Sequence, residues 1–328
     1  MKKGLWIGIV VVMLGIAYIM LTKRQSQELR HTFVIGINQF MQHPLLDDVY
    51  RGIIDGLKEV GVSEQNGSTI ILKNANGDQN VAFQINKQFV DRKVDMIIPI
   101  ATPSAQSACK VTKDIPIVFA AITDPVSAGI ADSLERPGGN KTGTSDRWPY
   151  EKQIELIREL LPKAVTVGII LNPGESNTEA SMNFIRPALK KFNFKKIEVP
   201  VSSTMEVYGA AKSLVGRCNV ILVPADNTVV GAFEAVVKVA NDNCIPLFAG
   251  NTPCVEKGAI ATYGVNYYKI GCLTGKLSAQ ILKQHLNAGA ISVVVESEAD
   301  LVINLKAAKI QKVPIPEEII KSAAQIFK

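Results

Sequence analysis

Met96-Ile97-Ile98-Pro99-Ile100-Ala101-Thr102-Pro103-Ser104-Ala105-Gln106 is the stretch on which the fold turns: an apolar run that stops at a polar turn and opens a helix. The continuous apolar run reads as a buried strand, and Pro103 suits the first turn of a helix. Ile115-Pro116-Ile117-Val118-Phe119-Ala120-Ala121, followed by Thr123-Asp124-Pro125, repeats the pattern. Both turns aim free backbone N–H groups outward, where a carboxylate or phosphate is attracted. The following Arg136-Pro137-Gly138-Gly139-Asn140-Lys141-Thr142-Gly143-Thr144-Ser145 lacks Walker or dinucleotide spacing and reads as a connector.

Working outward, the same alternation runs both ways. Thr32 to Asn38 reads as a strand, and Leu46 to Val60 as a helix whose stripe is Val49, Ile53, Leu57 and Val60, ended by Gly61. A strand at Ile70 to Asn74 and a helix at Asn80 to Arg92 complete a βαβα array with apolar strands, the pattern of a parallel sheet covered on both faces. A boundary at Ser145 to Tyr150 precedes a second array, with strands at Val165 to Leu171, Lys196 to Val201, Val220 to Pro224 and Pro246 to Ala249.

The expected fold is therefore α/β: two Rossmann-like lobes with parallel sheets and a ligand crevice at the carboxyl ends of both. Extended segments at Ala259 to Asn266 and Ile291 to Ser297 add two crossings to the first, making a three-strand hinge. Lobe 1 is expected to hold residues 31–145 and 266–290, and lobe 2 residues 146–265 and 291–328. A weak helix from Asn304 to Ile310 and a terminal helix after Pro316 close the chain.

The 328 residues carry a formal charge of +6, which invites a nucleic-acid reading. Lys2, Lys3, Lys23, Arg24 and Arg30, against Glu28 alone, place most of it in the first thirty residues, and no basic helix or finger spacing follows. Nucleic acid is set aside as a partner. Residues 1–30 are expected to be a signal-anchor and spacer. The apolar run from Leu5 to Leu21 would make about 25 Å of helix, near the lower limit for one transmembrane helix. No small-residue cleavage site follows and no cysteine precedes Cys109, so an uncleaved tether is expected to hold the body outside the cytoplasmic membrane, with a cleaved, secreted form as the alternative.

Cys244 and Cys254 flank a short strand and could meet, whereas Cys109 and Cys272 suit core positions on helices. The three histidines have no ligand spacing, so neither a metal nor a cofactor is expected. A two-cysteine racemase would need a thiol at the mouth of each lobe, and no partner for Cys254 stands at a crevice turn. No serine elbow or nucleotide fingerprint occurs either, and binding without catalysis is the reading adopted.

His43-Pro44-Leu45-Leu46-Asp47, Ala101 to Gln106, Thr123-Asp124-Pro125-Val126-Ser127-Ala128-Gly129, Arg136 to Gly143 and Asn172-Pro173-Gly174-Glu175-Ser176-Asn177 together resemble the ABC-transporter substrate-binding proteins of the tryptophan and tyrosine type. Pro224-Ala225-Asp226-Asn227, Gly258-Ala259 and Val302-Ile303-Asn304 continue the resemblance in order over nearly all of the chain after residue 31. It implies a type I periplasmic-binding fold closing on a small ligand for delivery to an ABC permease and its ATPase. The uncleaved anchor departs from relatives that carry a lipid-attached cysteine or a cleavable signal, and keeps a tethered sensor ectodomain as an alternative.

For an amino-acid ligand the carboxylate needs amide and hydroxyl donors, for which Thr102, Ser104 and Ala105 are candidates, although both hydroxyls also suit helix capping. Asp226, with Asn227 beside it, is the candidate for the ammonium, again with capping as the competing use. Asp124 and the loop residues Glu175, Ser176 and Asn177 complete the polar set, Asp124 before Pro125 being more a turn former than a ligand contact and Glu175 suiting a solvated surface charge as well. Phe40, Trp148 and Tyr150 could wall an aromatic side chain, with Tyr263 or Tyr267 contributing from the second crossing. A sugar or nucleoside is the alternative ligand.

Overall fold

The computed structural model describes residues 32–328. The first sheet is wholly parallel, in the order β2 (Thr69–Asn74), β1 (Val34–Gln39), β3 (Met96–Ile100), β4 (Ile117–Ile122), β5 (Lys141–Ser145) and β11 (Val294–Val295). The second runs β7 (Lys195–Pro200), β6 (Thr166–Leu171), β8 (Val220–Val223) and β9 (Leu247–Ala249), also parallel. A three-stranded sheet of β10 (Ala261–Val265), β12 (Ala299–Asn304) and β13 (Gln325–Phe327) abuts the second, joined to it by the Ile260 N–H donating to the Leu247 carbonyl at 2.7 Å. The central strands β3 and β4 are buried along their whole length, as runs covered by helices on both faces must be.

Three strands depart from the sequence reading. The expected connector before Ser145 ends in β5, whose Thr142, Gly143, Thr144 and Ser145 are buried without an apolar residue among them. Hydroxyl hydrogen bonds replace apolar contact: Thr142 donates to the Ile291 carbonyl at 2.9 Å, and Thr144 pairs with Thr274 at 2.8 Å. β12 occupies residues expected to precede a weak helix, and the predicted terminal helix is short, Glu317–Ser322, with β13 after it.

The chain passes between the lobes three times, after β5, after β10 and after β11. Because β11 pairs with β5, the last passage falls beyond Val295, late in the expected crossing Ile291 to Ser297 and past the expected lobe boundary at residue 291. After the second passage the helix Tyr267–Gln284 returns to the first lobe and lies along the helix Pro44–Glu59. Their backbones nearly touch: a Cβ at Gly52 would stand 2.2 Å from the Tyr268 carbonyl oxygen, and one at Gly271 2.2 Å from that of Val49.

All five cysteines are free, so Cys244 and Cys254 do not bridge. Among the described residues no helix is long and apolar enough to cross a membrane, and the expected anchor from Leu5 to Leu21 lies outside them.

Candidate functional site

The carboxyl ends of the strands converge on a cavity between the lobes, whose empty space is about 380 Å3 when the part open to solvent is counted. From the first lobe come His43 beyond β1, Ala101 and Thr102 at the end of β3, Ala121 and Thr123 at β4, and Asp146 and Trp148 after β5. The second lobe supplies Asn177 beyond β6, Asp226, Asn227 and Val230 beyond β8, and Asn251 beyond β9, while Tyr267 follows β10. Ala101 and Ala121 hold φ of +76° and +56°, a left-handed backbone that an alanine rarely adopts outside a site that requires it.

Of the expected site residues, Thr102, Trp148, Asn177, Asp226 and Asn227 line the cavity. Phe40, Ser104 and Ala105 are instead buried in the first lobe, the Ser104 carbonyl accepting from Asn86 at 3.1 Å. Asp124 shapes its own turn by accepting from the Val126 and Ser127 N–H groups at 3.1 and 3.0 Å. Tyr150 faces away, its hydroxyl paired with Ser181 at 2.9 Å and its ring stacked on Phe184 at 5.6 Å. Of the two tyrosines weighed, Tyr263 stays outside the cavity and Tyr267 enters its wall.

The hinge side of the wall is one hydrogen-bonded chain. The Trp148 indole donates to the Tyr267 hydroxyl at 2.8 Å, which donates to Asp146 Oδ2 at 2.7 Å. The indole lies across Gly250, where a Cβ would stand 1.4 Å from a ring carbon. Asp146 is buried, which pushes its pKa above the carboxylate range although the bond from Tyr267 opposes the shift.

The second-lobe side is built on two carboxylates. Asp226 caps the short helix Asn227–Gly231, its Oδ1 accepting from the Val229 N–H at 2.9 Å, while Oδ2 accepts from the Thr178 hydroxyl at 2.9 Å and from the Asn172 N–H. Glu175, weighed above as a solvated charge, is 1% exposed. Its Oε1 accepts from the Thr228 N–H and hydroxyl at 2.9 and 2.7 Å, and its Oε2 from the Asn227 side-chain amide at 2.6 Å. Burial and the charge on Glu175 push Asp226 up to about 7. Among the described residues no lysine or arginine lines the cavity to balance these acids.

Several lining groups carry buried polar atoms with no protein partner: both His43 ring nitrogens, Asp146 Oδ1, Asn177 Oδ1 and Asn251 Nδ2. Such atoms are rare in folded proteins and mark places where a further partner belongs. Their polarity is assigned by the bonds the same side chains already make. Asn177 Nδ2 donates to the Ala225 carbonyl at 2.8 Å, leaving its oxygen as an acceptor, and Asn251 Oδ1 accepts from the Cys254 N–H at 2.9 Å, leaving its nitrogen as a donor.

Residues 34–327 match the profile of the family described as ABC transporter substrate binding protein. The chain belongs to that family. It is an ABC-transporter substrate-binding protein, and it is 41% identical to a tyrosine-binding protein of Clostridioides difficile over 85% of this chain and 81% of the relative. The ABC domain in complex with L-Trp from Streptococcus pneumonia is 35% identical, with a TM-score of 0.87 over 90% of this chain and 100% of that one. The ligand-free, open structure of a substrate binding protein with adhesive properties from Clostridium difficile is 34% identical over the same shares, yet its TM-score is 0.67. Sugar-bound solute-binding proteins at 11 to 14% identity share the fold alone.

The lobes of this binding protein touch across the cleft, Gln79 Nε2 donating to the Gly174 carbonyl at 3.1 Å and Met41 lying against Gly231, so they stand in a closed arrangement.

The sequence reading passed over His43, Asp146, Thr123 and Asn251 as ligand-facing. Asp146 was hidden because β5 was not read as a strand; once it is, the residue after it falls at a crevice-facing strand end. The N-cap of the helix Thr252–Lys257 gives Asn251 a local purpose that conceals its second one.

Proposed function

We propose that the cavity binds an aromatic L-amino acid as the zwitterion, outside the cytoplasmic membrane, for delivery to an ABC permease and its ATPase. The observation that carries this reading is the charge pattern of the cavity: buried acids with no lysine or arginine in the wall among the described residues, unpaired acceptors and donors, and one indole wall. The ammonium is compensated by Asp146 and Asp226, with Asn177 Oδ1 as a further acceptor. The carboxylate is received by the N-terminus of the helix Thr102–Val111 and by Asn251 Nδ2. The ring lies against Trp148, which Tyr267 and Gly250 hold in place. The tyrosine-binding and L-Trp-bound relatives support the aromatic class. Leu5 to Leu21 tethers the protein to the membrane in this reading, and its role ends with capture and release rather than catalysis.

Thermal unfolding against the twenty amino acids, with a small set of sugars and nucleosides, tests it. A ligand specific for the folded state raises stability by about 2.7 kcal/mol at a hundred times its dissociation constant. A shift confined to tyrosine, tryptophan or phenylalanine is expected, and Asp226→Ala should reduce it sharply. A shift with sugars or nucleosides alone would overturn the site chemistry.

A further inference from the structure

His43 is 5% exposed, lines the cavity, and neither ring nitrogen meets a hydrogen-bond partner in the protein. Asn227 stands beside it, without a bond of normal geometry. Its backbone has a plain structural task, since His43 precedes Pro44 and its carbonyl accepts from the Asp47 N–H at 3.0 Å to start the helix Pro44–Glu59. That task requires no imidazole: the side chain makes no capping bond, and serine, threonine, aspartate or asparagine is the usual choice there. An unpartnered imidazole buried in this way is destabilising unless something in the cavity bonds to it.

Part of the apolar lining stands close by in the chain. Leu45 and Leu46, in the first turn of the helix that His43 precedes, are in the wall, and Val230 faces the cavity from the other lobe. The acids that suit an ammonium come from other elements, Asp146 after β5 and Asp226 after β8. With the ammonium held by those acids and the ring against Trp148, the tip of the ring is assigned to the side of Leu45, Leu46 and His43. Burial lowers the pKa of His43 to about 4, so at neutral pH the imidazole has one N–H donor and one acceptor nitrogen. That pair serves a phenol hydroxyl in either sense and an indole N–H through the acceptor.

We propose that His43 is a specificity-determining residue that hydrogen-bonds the polar tip of the ligand's ring, so that the protein prefers tyrosine or tryptophan to phenylalanine. This rests on the reading of the ligand as an aromatic amino acid. A ligand without the tip leaves the imidazole buried and unpaired, and a site built around a buried polar group rejects such analogues strongly.

Calorimetric titration of the full chain with L-tyrosine, L-tryptophan and L-phenylalanine tests the proposal. The wild-type protein should bind tyrosine or tryptophan at least roughly tenfold more tightly than phenylalanine, the scale of one buried hydrogen bond. His43→Leu should weaken the preferred ligand by a similar factor and leave phenylalanine unchanged or tighter, while His43→Gln, which keeps a donor and an acceptor, should retain part of the preference. Melting without ligand checks that each variant folds, and the wild-type ratio stands even if one does not. Phenylalanine bound as tightly as the other two, or an equal loss for all three in His43→Leu, would overturn the role of His43 while leaving the aromatic reading intact. Failure of all three to bind would overturn the aromatic reading itself, and this proposal with it.

Discussion

Asp226 combines the capping role that its sequence context allowed with a place in the cavity wall. It caps its helix through Oδ1 and also stands in the cavity wall beside buried Glu175. Because its pKa is raised to about 7, the proton is held in the folded, ligand-free protein below that pH. The stabilisation this gives is complete below the unfolded value near 3.9 and is lost as pH rises through about 7. A ligand ammonium favours the ionised form, so binding below pH 7 must release the proton. Amino-acid affinity is expected to rise by up to about tenfold per pH unit between roughly pH 5.5 and 7 and then level off, with the slope lost in Asp226→Asn. Titration in buffers of different ionisation heat measures the proton release directly; a flat wild-type profile would move the ammonium away from Asp226. At this scale the sequence made the position of Asp226 legible, but not the burial of Glu175, because nothing local reveals that Asn227 and Thr228 reach back to it.

Among the elements, the helices Pro44–Glu59 and Tyr267–Gln284 owe their contact to glycines spaced four apart on each, Gly52 and Gly56 against Gly271 and Gly275. A Cβ at Gly56 would stand 2.2 Å from the Cys272 carbonyl oxygen, and one at Gly275 2.3 Å from that of Ile53. Backbone cannot move aside as a flexible side chain can. Gly56→Ala is expected to destabilise the protein by roughly 3 kcal/mol, seen as a melting temperature lower by several degrees, whereas exposed Gly209→Ala, with nothing within 4 Å of its Cβ, should not. Equal melting of the two variants would show that the helices can part. The apolar stripe of the first helix was readable from its spacing, but its partner across 215 or more residues was not, since spacing within one helix does not name what lies against it. β5 is the opposite case: its small hydroxyl residues carry no strand signal, and only the neighbours β4 and β11, with Thr274 and the Ile291 carbonyl, make it one.

For the molecule as a whole, closure brings Met41 of the first lobe against Gly231 of the second, where a Cβ would lie 2.5 Å from the methionine methyl. A wedge there should hold the lobes apart without disturbing either fold. Gly231→Trp is expected to weaken ligand binding by roughly tenfold or more, because the apparent affinity falls with the fraction of molecules able to close. Small-angle scattering should show contraction on adding ligand to the wild type and none in the variant; contraction in both would mean that closure does not use this contact.

By itself the sequence determined the α/β class, the two parallel arrays, the three passages between them and the turns that would face a crevice, because these depend on apolar runs, turn residues and their order along the chain. Only the tertiary structure decided which residues share the cavity. It leaves Phe40, Ser104, Ala105, Asp124, Tyr150 and Tyr263 out of the cavity lining, puts Tyr267 of the two tyrosines weighed into it, and adds His43, Asp146 and Asn251. The physical reason is that a turn's residue types fix its local geometry, whereas the direction of each side chain and the partner its polar atoms meet depend on the opposite lobe, which the local sequence does not contain.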